Sequence, residues 1–240
     1  MAPTLNAMAA IKTRGERQFI KFPRFAAGLY NKLSRTPSLE QQYQEVAATL
    51  SRQIKSGRLL DVGTGPGRLL IELHRLNPEL QLYGLDVSHA MIELATKNLA
   101  GAAVDLRVAN ACATGYDDDF FDVVTCTGSV YLWDRPQKGL EEIHRILKPG
   151  HCAHLFETRR DYDPAAYKIA LEKNLKREGL AMRLFGPRLL AKALQMAYRA
   201  DEVQQIAGQT SFAGQCQIEY LSLVGLPVWM HIQLHKGGLL

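Results

Sequence analysis

The chain has 240 residues, 47% of them hydrophobic and 22% charged, which suits one globular α/β domain with additions. Its apolar runs fall short of the roughly 18 residues a membrane span needs, and its N-terminus lacks the apolar stretch and cleavage site of an export signal. Four scattered cysteines without a C-x-x-C pair favour neither a metal site nor a disulfide framework, so free thiols and a cytoplasmic location are expected. The net charge of +5 is uneven: residues 1–35 carry a net +6 and residues 158–192 a net +5. Such runs read either as solvated faces or as a lid that attracts an anionic substrate.

Residues 1–18 lack periodicity and are expected to form a basic, disordered tail. Aromatics then recur at Phe19, Phe22, Phe25 and Tyr30, a segment suited to packing over a core. Ser38 with Gln41 reads as a capping box that starts a helix to about Lys55. A strand over 58–62, a helix over 67–76, a strand over 80–85 and a helix from Ser88 to Gly101 follow, then strands over 104–109 and 121–127. Asp134 is expected to cap a helix that ends at Lys148-Pro149-Gly150, before a fifth strand over 151–157. This alternation means βαβ units and a mainly parallel sheet. Helices from Asp163-Pro164, from Gly186-Pro187 and from Asp201 come next. Two last strand-like runs, parted by Gly225-Leu226-Pro227, predict an antiparallel hairpin.

The residues between the first strand and helix carry the sharpest signal. Leu59-Leu60-Asp61-Val62-Gly63-Thr64-Gly65-Pro66-Gly67 is a buried strand, a turn almost without side chains, and a helix start. The turn asks for φ > 0 and brings backbone N–H groups close to a ligand, and the helix start favours something anionic. Asp86, at the end of the second strand, is placed to accept hydrogen bonds from both hydroxyls of a ribose, or to cap the helix at Ser88.

Three more landmarks follow in order: Val108-Ala109-Asn110-Ala111 with Tyr116, then Phe121-Asp122-Val123-Val124, then Leu140-Glu141-Glu142-Ile143-His144-Arg145-Ile146-Leu147-Lys148-Pro149-Gly150. Together with the Asp-x-Gly-x-Gly-x-Gly turn they resemble the class I methyltransferases that depend on S-adenosylmethionine (SAM), in the style of the ubiquinone and menaquinone biosynthesis group. The resemblance covers residues 57–157. It implies an α/β, Rossmann-like doubly wound, mainly parallel seven-stranded sheet with an antiparallel C-terminal hairpin. Residues 1–56 would be a tail and helical cap, and residues 57–240 the SAM-binding domain, with 158–210 as a helical substrate lid.

By the same resemblance Asp61, Gly63, Thr64, Gly65 and Gly67 would hold the methionine part of SAM, and Asp86 and Val87 the ribose. Asn110 stands where the family has an aspartate for the adenine amino group, and its carbonyl can accept the same bond without charge assistance. Ala111 would offer its N–H to the ring and Tyr116 could pack over it. Thr127 and Ser129 would face the sulfonium, with Tyr131, Trp133 and Tyr30 at the rim, where an aromatic face near the cation gains about 0.5–2 kcal/mol. Tyr131 and Glu157 are the catalytic candidates, Glu157 as a base at the end of the fifth strand. Trp133, Arg159 and Arg160 are the substrate candidates, the arginines as a clamp for a carboxylate or phosphate. No metal is expected.

The expected function is SN2 methyl transfer to a small-molecule acceptor, which the basic segments allow to be anionic. A homodimer is compatible with the pattern. Three other readings stay open: a non-catalytic SAM-fold partner subunit, an RNA methyltransferase, and a NAD-dependent dehydrogenase. No stacking platform or Asn/Asp-Pro-Pro-Tyr/Phe motif supports a nucleic-acid target, and the glycine spacing disfavours NAD.

Overall fold

The computed structural model describes residues 24–237. The expected tail over 1–18, Phe19 and Phe22 lie outside the described residues, as does the side chain of Phe25. In chain order the elements are α1 (Arg24–Leu33), α2 (Pro37–Gln53), β1 (Gly57–Val62), α3 (Arg68–Leu76), β2 (Leu80–Asp86), α4 (His89–Asn98), β3 (Val104–Val108) and β4 (Phe121–Thr127). A 3-10 turn (Val130–Leu132) leads to α5 (Pro136–Ile146), β5 (Leu147–Thr158), α6 (Pro164–Leu175), α7 (Leu180–Met196), α8 (Ala200–Ala207), β6 (Cys216–Leu223) and β7 (Leu226–His235).

The seven strands run in the order β3-β2-β1-β4-β5-β7-β6, with β1 to β5 parallel and β7 antiparallel to both its neighbours. The expected fold class is the observed one. Alternation along each strand feeds two cores: Leu60 and Val62 point to the face covered by α5 and α8, and Leu59 to the face covered by α2, α3 and α4. All three residues are fully buried, each stabilising the fold by about 1.5–3 kcal/mol. Strand order reverses between β1 and β4, so their C-terminal ends open onto a crevice where α/β sheets bind ligands.

Several expected boundaries move, each for a local reason. Ser38 does not cap α2: Pro37 takes the first helical position after Thr36, the Ser38 N–H donates to Glu178 Oε1 at 2.8 Å, and Gln41 bonds Glu45 instead. Asp134 does not cap α5, whose N-cap is Arg135 with Pro136 next. That helix stops at Ile146, because Leu147 already pairs with Phe121 in the sheet and the Gly150 N–H is taken by Lys236 O at 2.6 Å. Gly186-Pro187 does not start a helix but lies inside α7. Gly186 lacks the Cβ that a following proline ring would otherwise meet. The last hairpin turns at Val224-Gly225, both at positive φ (56° and 71°), so Leu226 and Pro227 belong to β7. Val224 is held in that unfavourable conformation by Glu45, which accepts its N–H, and by Asn174, which donates to its carbonyl.

Candidate functional site

The crevice is walled by the turn after β1, the ends of β2 and β4, the loop after β3, and two tyrosines from the cap, Tyr30 of α1 and Tyr43 of α2. Asp61, Gly63, Thr64, Gly65, Asp86, Val87, Ala111, Thr127, Ser129, Tyr131, Trp133 and Tyr30 all line it, so most of the expected cofactor residues come together. Gly63 must be glycine twice over. Its φ is +75°, and a Cβ would stand 2.4 Å from Ser129 Oγ.

Gly67 does not line the crevice. It turns the chain into α3 at φ +77°, and a Cβ there would press on Leu99 at 2.8 Å, so its work is helix packing. Asn110 also stays off the wall: its Oδ1 accepts the Cys112 N–H at 2.8 Å, which shapes the loop and leaves Ala109 and Ala111 at the surface of the crevice. Tyr116 is buried away from it among Tyr83, Phe120 and Phe121, with the Arg107 guanidinium over its ring.

Asp86 joins the two readings made of it. One carboxylate oxygen accepts the Gly65 N–H at 3.0 Å and the other the Ser88 N–H at 2.9 Å. Each oxygen keeps a lone pair that a hydroxyl can use. Burial raises its pKa, and those two N–H bonds oppose the rise. Asp61 is 3% exposed and pushed up to about 7, by burial first, with Thr64 opposing and the Asp86 charge adding. Thr127 Oγ1, also on the wall, is buried without a partner among the described residues. Tyr30 and Tyr43 meet hydroxyl to hydroxyl at 3.2 Å, and burial raises both phenols.

Glu157 departs most from expectation. It is 2% exposed and does not line the crevice. Its Oε1 sits behind the loop after β4 and accepts the N–H groups of Ser129 at 2.9 Å and Val130 at 3.0 Å. Its Oε2 has no partner among the described residues, and a small apolar cavity lined by Val130, Leu155 and Tyr198 lies beside the residue. Burial pushes its pKa up to about 7 against those backbone bonds. Tyr131 stands in front of the same loop, its phenol raised by burial and then by the Glu157 charge.

Neither arginine forms a clamp over the crevice. Arg159 lies across the Tyr220 ring at 3.9 Å and pairs with Asp161 at 3.3 Å. Arg160 pairs with Glu202. Tyr43, Met91 and Leu132 are wall residues that the reading of the chain did not assign. In the sequence Tyr43 shares one face of its helix with Val46, Ala47 and Leu50, and nothing local says which end of that face meets a ligand.

Residues 60–153 match the family model described as a methyltransferase domain. Over those residues, which include the crevice at the β1–β4 switch point, the chain is similar to methyltransferases. The methyltransferase domain and its flanks are 30% identical over 126 residues to the ubiquinone/menaquinone biosynthesis C-methyltransferase UbiE of Desulfotalea psychrophila, covering 52% of this chain and 51% of that one. They are 28% identical over 172 residues to the demethylmenaquinone methyltransferase of Chlorobaculum parvum, covering 69% and 70%. The chain spans about half to two thirds of the length of most curated relatives it matches. Its fold is shared with the plantazolicin methyltransferase BpumL, solved with a monoazolic desmethylPZN analog and SAH, at TM-score 0.68 and 15% identity over 97% of this chain and 98% of that one. Among the described residues there is no group of three or more acidic, His or Cys side chains suited to a metal ion.

Proposed function

We propose that the protein transfers a methyl group from SAM to a small-molecule acceptor, and that Asp61 carries the reading. A carboxyl buried to this degree, pushed up to about 7 and without a cation beside it, is matched by a ligand that brings its own ammonium group. The orphaned hydroxyl of Thr127 fits a polar ligand in the same way.

In this reading Asp61 receives the amino group of the methionine part and Asp86 the ribose hydroxyls, with Val87 against the ribose. The backbone at Ala111 meets the adenine ring. SAM, when bound, supplies an electrophilic methyl on a sulfonium. The chain fixes what surrounds it: Gly63 and Gly65 let the turn approach, Thr127 and Ser129 flank the sulfur, and Glu157 holds the Ser129–Val130 backbone from behind. Tyr131 and Trp133 present flat faces to the acceptor. Alignment of this kind is worth about 7–11 kcal/mol of barrier.

The relatives named as quinone methyltransferases make a quinol ring the first acceptor class to try. With Arg159 and Arg160 engaged elsewhere, an anionic group on the acceptor has no clamp from them. Four free cysteines suit a reducing, cytoplasmic setting.

Thermal unfolding with SAM, with its demethylated product and with NAD tests the cofactor. At about 100 times its dissociation constant a ligand stabilises the fold by roughly 2.7 kcal/mol. A rise in Tm with SAM or its product and none with NAD is expected. No rise with either would overturn the proposal.

A further inference from the structure

We propose that the hairpin of α6 and α7 docks the protein on an anionic lipid surface. This surface is separate from the crevice and does not depend on the reaction proposed above.

The observation is an apolar face left uncovered. Ile169, Leu180, Leu184, Phe185 and Leu189 are 71%, 73%, 54%, 58% and 50% exposed, the densest run of exposed large apolar side chains among the described residues. The four on α7 are turned outward because the inner side of that helix is already spoken for: Leu194 is buried and Leu190 packs on the core that α2 also joins. At 3.6 residues per turn, that leaves Leu184, Phe185 and Leu189 on the outer side, where Arg188 and Lys192 are also exposed. Isolated exposed leucines need no explanation, but a clustered patch does.

The charges identify what covers it. Residues 164–192 hold seven Lys/Arg and two Asp/Glu. One of those acids, Glu178, is buried against the Ser38 N–H. Several basic side chains elsewhere are paired, as Arg145 is with Glu142, Arg159 with Asp161 and Arg160 with Glu202. On the hairpin, by contrast, Lys168, Lys173, Arg177, Arg183, Arg188 and Lys192 form no ion pair with a described residue. Apolar side chains set among unpaired cations suit the boundary between headgroups and acyl chains, where Leu and Phe enter and Lys and Arg stay at the phosphates. A second copy of the chain would bring the same cations face to face, so self-association is disfavoured.

On the α6 side of the hairpin an open groove of about 610 Å³ is lined by Ile169, Lys173, Arg177, Val224 and Gln41.

Co-sedimentation of the full chain with vesicles tests this, using phosphatidylcholine alone and equal parts phosphatidylcholine and phosphatidylglycerol. The protein is expected to pellet with the mixed vesicles only, and to be released by salt. Arg188→Gln with Lys192→Gln should weaken binding about fivefold per cation removed. Phe185→Ser with Leu189→Ser should abolish it, with Tm and the response to SAM unchanged since both positions are exposed. No binding to mixed vesicles, or binding that survives the apolar substitutions, overturns the proposal. A dimer in sedimentation velocity that the apolar substitutions dissolve, without vesicle binding, overturns it in favour of a second copy. The SAM response reports on the crevice in every case, so failure of either reading is seen separately.

Discussion

Glu157 is positioned by the same alternation that builds the sheet. Phe156 packs into one core, so its neighbour turns to the other face and reaches behind the loop after β4. Its replacement therefore acts on loop geometry. Glu157→Ala leaves the Ser129 and Val130 N–H groups unpaired, at about 1–3 kcal/mol each. Glu157→Gln keeps an acceptor and removes the titration. The folded-state pKa is raised from 4.5 to about 7, so the folded protein holds a proton that the unfolded chain gives up, and this support disappears as pH rises through 7. Relative to wild type, the Gln variant should gain about 3 kcal/mol between pH 4.5 and pH 8, read from urea unfolding. A base at the end of β5 was a fair inference from position along the chain. The direction of the side chain depends on what fills the two faces of the sheet, and a single strand does not reveal that. The glycine turn, by contrast, was legible because its demands are local: positive φ, and Ser129 too close for a Cβ.

At the scale of elements, α5 explains why its motif has the form it has. Glu142 accepts the Thr114 N–H at 2.8 Å and the Thr114 hydroxyl at 2.6 Å, while Arg145 donates to Glu142, to Asp118 and to the Tyr116 carbonyl. The helix thereby pins the loop between β3 and β4, whose first residues Ala109 and Ala111 line the crevice. The motif was readable as a helix with a firm stop, but its partners lie on another loop and were not. Charged hydrogen bonds hold the Glu142 carboxyl down at about 2 despite its burial. Its stabilisation is present above the ordinary carboxylate range and is lost as pH falls toward 2. Glu142→Ala should lower stability by about 1.5–3 kcal/mol at pH 7 and weaken SAM binding through the loop, both measurable by thermal unfolding with and without ligand. Helix starts fared worse than strands in the sequence because Pro37 and Pro136 set the first turn where Ser38 and Asp134 offered side chains.

Across the whole molecule, two buried pairs pull stability in opposite directions with pH. His154 and His231 meet ring to ring at 3.0 Å between β5 and β7, and burial brings them down to about 3 and about 4. Below 6.5 the unfolded chain takes up protons there that the folded one refuses, so acid destabilises. Asp61 and Glu157, both raised to about 7, do the reverse over the same interval. The urea midpoint of the wild type should accordingly be nearly level between pH 5 and pH 7. With His154→Gln and His231→Gln together only the carboxyl contribution remains, and the midpoint should climb on acidification. A midpoint that falls instead would show that the carboxyls are not held protonated.

The first helix is fastened differently from everything beneath it. Arg24 reaches Glu93, Arg35 and Asn31 both reach Asn98, and Arg68 reaches Asn31. In the helical stretch itself Ala27 is the fully buried apolar side chain among the described ones. Water and salt compete for every one of those fasteners, whereas nothing in solution replaces a buried leucine. The amides of α1 should therefore exchange with deuterated water well ahead of those in β1 and β4, and faster as salt is added. Tyr30 rides on this segment directly above Gly65. Each brief lifting of α1 then bares the glycine turn, and the dwell time of whatever lies in the crevice is timed by surface arginines and asparagines letting go.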